Sequence, residues 1–217
     1  MDEEETIRTY SMVKAYEEFE AAIGILHDDV EFCARELNKN DLPVWRRALV
    51  RALFAMVEGV IYRMQQIALN ASHQPRVAFS PGELHLLLEK SFELDGNGNV
   101  VERQIRTSLK GSIRFAFGAF ARVHVAEYEL DVTREDEWGA FLKSIKVRDR
   151  LMHPKTVADL TVSNEEMTSI QRTFDWFMKT LKNVQEISLA GLEEDVRKHP
   201  REASPPEVIP TASPSSS

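Results

Sequence analysis

The sequence predicts an all-α fold, a helical bundle with two long early helices, shorter helices in the middle and a long closing helix. Three observations carry that expectation. Apolar residues recur at three- and four-residue spacing along most of the chain. Capping residues, prolines and glycines stand where such helices should start and stop. No stretch has the sustained alternation of a half-buried sheet. The 217 residues suit one domain, and 43% apolar with 29% charged residues can supply a full core. The expected organisation is an acidic segment over 1–9, a helical domain over 10–190 and a disordered Pro/Ser-rich tail over 195–217.

Tyr10 to about Asn38 reads as the first helix, with Val13, Tyr16, Phe19, Ile23, Leu26, Val30 and Leu37 on its apolar face. Asn38 to Asp41 breaks it. Asp41 is the expected cap of a second helix, with Pro43 in its first turn, running to about Asn70. Leu49, Leu53, Met56, Val60, Met64 and Ile67 form one stripe on it, and Val50, Phe54, Val57 and Ile61 a second. Cover this wide fits a central helix, or one shared between a core and a partner. Ser80-Pro81-Gly82-Glu83 opens a short helix through Phe92. Asp95-Gly96-Asn97-Gly98-Asn99 then makes a turn, read as a loop because its flanks do not alternate. Further helices are expected over Arg103–Glu129, from a capping box at Thr133 to Met152, and from a capping box at Ser163 onward. Pro154 biases His153 away from helical geometry and should stop the penultimate helix.

Composition narrows the function classes. With 27 basic and 35 acidic side chains the net charge is −8, which argues against broad, nonspecific nucleic-acid binding. Residues 1–41 hold twelve acids against four bases, whereas 101–155 hold eleven bases against eight acids, so a local basic surface remains open. The acidic start is neither a secretory nor a transit signal, and no apolar run is long enough for a membrane span. Cys33 is the lone cysteine, so no internal disulfide forms and a cytoplasmic setting is expected. Among Val30, Phe32 and Ala34 it reads as a small hydrophobe.

The string Arg148-Asp149-Arg150-Leu151-Met152-His153-Pro154 carries the candidate chemistry. Residues five apart on an ideal helix point about 140° apart, so Arg148 and His153 would not face each other. A break at Pro154 lets His153 turn at the helix end while Arg148 stays one turn inside. Arginine supplies a fixed fork of donors, and histidine titrates near neutrality. Asp149 is a candidate to orient the imidazole. Spacing alone favours the plainer reading, a solvated face with His153 at a helix C-terminus, where the dipole favours it.

The segment Ile145–Pro154, followed by Asp159–Glu166, resembles the end of a HEPN domain. HEPN domains are helical bundles with an arginine, usually a polar residue next, and a histidine after four to six intervening residues. Arg148, Asp149 and His153 match that pattern, and the order of long and short helices is similar over about residues 10–190. Many such proteins are metal-independent endoribonucleases, often toxins or antiviral effectors, acting as homodimers that bring two motifs into one cleft. The resemblance therefore implies RNA as substrate, no cofactor, and a cognate antitoxin or nucleotidyltransferase as partner. It implies that Arg148 holds the scissile phosphate, His153 acts in general acid–base catalysis and Asp149 positions His153. A catalytically silent HEPN-like protein that binds protein or nucleotide is the alternative, and an unrelated helical interaction domain a third. Asp149 stands where many active members have Asn, and adds negative charge beside a phosphate.

Supporting or RNA-binding roles fall to Arg150, Glu58 and Lys155. Glu58 lies among apolar residues of the second helix, with Arg51 and Gln65 seven positions to either side. It is a candidate to meet Arg148 or Arg150 across the bundle, with local pairing to Arg51 or Tyr62 as the plainer option. No metal site is expected, because His27, His73, His85, His124, His153 and His199 show no ligand spacing. Phe115, Phe117 and Phe120 read as core rather than a base-stacking platform, as do Trp45, Trp138 and Trp176.

Overall fold

Each helix is built from an apolar stripe and a terminus that stops it. The structure, a computed structural model, describes residues 3–72, 77–105 and 107–198. In chain order these form α1 (Glu3–Lys39), α2 (Pro43–Ala71), α3 (Pro81–Leu87), β1 (Lys90–Leu94), β2 (Val100–Gln104), α4 (Leu109–Val123) and α5 (Glu135–Met152). A single 3-10 turn, Val157–Leu160, then leads to α6 (Asn164–Lys198). The fold is the expected helical bundle. Residues 199–217, most of the expected tail, lie outside the described residues, and α6 runs four residues into the range assigned to it.

Helix α2 forms the centre. Its residues Val50, Leu53, Met56, Val57, Met64 and Ile67 are inaccessible to solvent, and it packs against α1, α3, α4, α5 and α6. The breadth of its apolar cover is thus used inside one chain and needs no partner. Phe54, Phe141, Trp138 and Trp176 stack beside it, while Phe117 and Phe120 lie in the same core. Phe115 packs against a smaller cluster of Ala68, Leu87 and Ala119. Cys33 also packs on the core, where burial, with Asp29 nearby, pushes its thiol pKa up.

Four expectations need correction. Helix α1 begins at Glu3 rather than Tyr10, because acidic residues favour a helix N-terminal turn. Asp41 does not cap α2. Leu42 occupies that position with no side-chain cap, and Asp41 instead pairs with Arg46. Thr133 does not cap α5, since Arg134 stands at its cap and the Thr133 hydroxyl donates to Asp131 at 2.7 Å.

The largest correction is the segment read as the end of a helix, a loop and the start of another helix. It is an antiparallel hairpin pairing Lys90 with Gln104 and Leu94 with Val100. Its alternation is one of charge: Lys90 meets Glu102 at 3.0 Å and Arg103 meets Glu93 at 2.6 Å. The Asp95 carboxylate accepts from the backbone of Asn97 and Asn99, and Gly98 supplies the positive φ of 83° that the turn needs. The hairpin leaves α3 ending at Leu87 and α4 starting only at Leu109, capped by Ser108.

Candidate functional site

Pro154 acts as expected: α5 ends at Met152 and His153 leaves helical geometry at φ −130° and ψ 58°. Its backbone N–H still donates to the Asp149 carbonyl at 3.0 Å. The imidazole is exposed and makes no hydrogen bond to a described residue. Arg148, one turn inside, faces α2. One terminal nitrogen donates to the Asp149 carboxylate at 2.8 Å, and the other bonds Glu58. The cross-bundle pairing of Glu58 with Arg148 is therefore present, while the Asp149 carboxylate turns to Arg148 and not to the His153 ring. Partial burial works against the Arg148 charge. The Asp149 hydrogen bond and the charges of Glu58 and Asp149 outweigh it, holding the guanidinium above the ordinary arginine pKa.

Arg148 and Glu58 line an open groove of about 400 Å³, with Ile61, Tyr62 and Gln65 of α2 on one wall. Glu89 and Ile105 at the base of the hairpin, and Thr107, Leu109 and Ser112 at the start of α4, make the other. The Thr107 and Ser112 hydroxyls bond each other at 2.5 Å. His153 is not part of this lining, so one copy of the chain gathers Arg148, Glu58 and Asp149 and leaves His153 beyond the helix end.

Arg150 points elsewhere. It donates to the carbonyls of Asp159 at 3.1 Å and Thr161 at 2.7 Å, and pairs with Glu166 at 3.0 Å. Arg46, Arg47 and Arg51 of α2 reach the carbonyls of Val162, Leu160 and Leu151 in the same way. Arg51 thus holds the last turn of α5, while Arg46, Arg47 and Arg150 fasten the connector that carries the chain from His153 to α6. The Ser163–Glu166 capping box closes it, at 2.9 and 3.2 Å. Burial raises the Glu166 pKa, but Arg150 and the Ser163 bonds outweigh it and hold the pKa below the ordinary glutamate value. Lys155 is exposed, and its backbone N–H donates to the Asp159 carboxylate at 2.8 Å.

No sequence motif marks Gln65, Thr107 or Ser112. A signal for Gln65 was present, since helical period sets it beside Ile61 and Ala68 on the apolar side of α2. Thr107 and Ser112 depend on where α4 begins, which the hairpin decides. Among the described residues no group of His, Cys, Asp and Glu could hold a metal ion, and no helix is long and apolar enough to cross a membrane. The fold and site define a helical-bundle protein with a salt-bridged arginine at the rim of a polar groove. No protein-family model, curated protein or solved structure matches the chain.

Proposed function

We propose that this chain is a metal-independent endoribonuclease of HEPN type, acting as a homodimer in which two copies of the Arg148–His153 string face each other. The observation that carries the reading is the pairing of Arg148 with Glu58 across the bundle, beside the exposed His153 imidazole, without a hydrogen-bond partner among the described residues, past the end of the same helix. Arg148 holds the scissile phosphate and stabilises its transition-state charge. His153 of one copy takes the proton from the RNA 2′-hydroxyl as that oxygen attacks phosphorus. The bond to the 5′-oxygen breaks, and His153 of the other copy returns a proton to it, leaving a 2′,3′-cyclic phosphate and a 5′-hydroxyl. A second copy is invoked because His153 is not among the residues that line the Arg148 groove of its own chain.

Cleavage of single-stranded RNA in the presence of a chelator should be lost in His153→Ala. Equal rates for variant and parent would falsify the assignment. Sedimentation should show a concentration-dependent dimer; a strict monomer removes the composite site.

A second reading, a catalytically silent protein that binds nucleotide or protein at the same groove, is favoured by a specific observation. Arg148 already sits between two carboxylates, whose charge opposes an incoming phosphate. RNA binding without cleavage in the parent selects this reading.

A further inference from the structure

We infer that the groove between α2 and the start of α4 is a nucleobase subsite, in which the Gln65 amide hydrogen-bonds the edge of an unpaired base while Arg148 holds the attached phosphate. The inference rests on the reading above that nucleic acid occupies this groove. Gln65 is only 6% exposed, yet its side chain makes no hydrogen bond to any described residue. A primary amide in that position gives up water without gaining a partner. It is not sealed in, however. Among the described residues the only sealed, unpaired side-chain polar atom is the Ser188 hydroxyl, so the Gln65 amide is not sealed, and Gln65 is one of the residues that line the groove.

The surroundings match a nucleotide better than an apolar ligand. The Thr107 and Ser112 hydroxyls stand on the facing wall, and Arg148 leaves its Nε–H without a partner among the described residues. Gln65 lies seven residues along α2 from Glu58, the residue that holds Arg148, a rise of about 10 Å. A phosphate at Arg148 and a base at Gln65 would therefore lie along one wall. The half-exposed Tyr62 ring belongs to that wall and offers a stacking surface. The volume of about 400 Å³ is that of a small-ligand cleft. An amide offers a donor and an acceptor side by side, the pair that suits the N6 and N7 edge of adenine, so it discriminates among base edges.

The test is calorimetric titration of the full chain with each of the four nucleoside 3′-monophosphates, none of which has a phosphodiester bond to cleave. The parent should bind one base roughly tenfold more tightly than the weakest. Gln65→Leu should abolish that preference while keeping a common, phosphate-dependent affinity. Equal binding of all four by the parent, binding of none, or an unchanged preference in Gln65→Leu would overturn the subsite. Should Gln65→Leu fail to fold, Gln65→Glu keeps the volume and removes the donor, and must change the order of preference. RNA cleavage is scored separately. A base preference without cleavage rejects only the enzyme reading, and cleavage without a base preference rejects only the subsite.

Discussion

Arg148 keeps its charge in the company of two carboxylates, and that arrangement sets what a substitution beside it should do. Asp149 is half exposed and hydrogen-bonded to Arg148, so it competes directly with any phosphate. Asp149→Asn keeps the shape and removes the competing charge, and a short single-stranded RNA should then bind severalfold more tightly in a fluorescence anisotropy titration. Unchanged or weaker binding would show that phosphate does not approach Arg148 from that side. His124 gives a second prediction at this scale. Its Nδ1 is 2.9 Å from the Phe120 carbonyl and its Nε2 is 2.5 Å from the Tyr16 hydroxyl. One ring nitrogen donates to the carbonyl and the other accepts from the tyrosine, which is the neutral imidazole. Burial drives its pKa below the ordinary histidine value, with the Phe120 bond opposing. The unfolded chain then takes up the proton first as pH falls. The stability contribution is complete above about pH 6.5 and is lost as pH drops through the folded value. Denaturant midpoints at pH 7.5 and 5.5 should differ more in the parent than in His124→Gln. Carboxylates such as Glu166, whose folded pKa is lowered, lose their contribution only near and below pH 4.5, so the two windows separate.

Helix ends separate what could be read from the chain from what could not. The stop at Pro154 and the box at Ser163 were legible because a missing N–H and a side-chain cap act within a few residues. Ser163→Ala should cost about 1 kcal/mol, measured by chemical denaturation. The hairpin was not legible, because Lys90, Glu93, Glu102 and Arg103 hold it by cross-strand charge and leave Phe92, Leu94 and Val100 largely exposed. Neither strand shows the apolar alternation by which strands are recognised. Arg150 was expected beside a phosphate, but its donors go to Asp159, Thr161 and Glu166. Arg150→Met should therefore cost about 2 kcal/mol of stability. If its midpoint matches the parent while RNA binding falls, the connector does not depend on this arginine.

For the whole molecule, α2 decides how the site is assembled. It presents buried faces to its neighbours, an arginine row to the connector after α5, and Glu58, Tyr62 and Gln65 to the groove. Phe141 is inaccessible between Phe54, Trp138 and Trp176, so Phe141→Ala should cost about 3–5 kcal/mol in a denaturant titration. A smaller loss would mean that the aromatic stack collapses into the space. The sequence by itself determined the helical class, the apolar stripes, the stop at Pro154 and the candidacy of Arg148, Asp149, His153 and Glu58. These depend on local rules of period, capping and residue chemistry. Only the tertiary structure decided that Glu58 meets Arg148, that Asp149 turns from His153 to Arg148, that Arg150 holds the connector, and that Gln65 opens into a groove. Those pairings join residues from 9 to 90 positions apart, or select one neighbour among several. Helical period says which face a side chain occupies, and packing alone says what it faces.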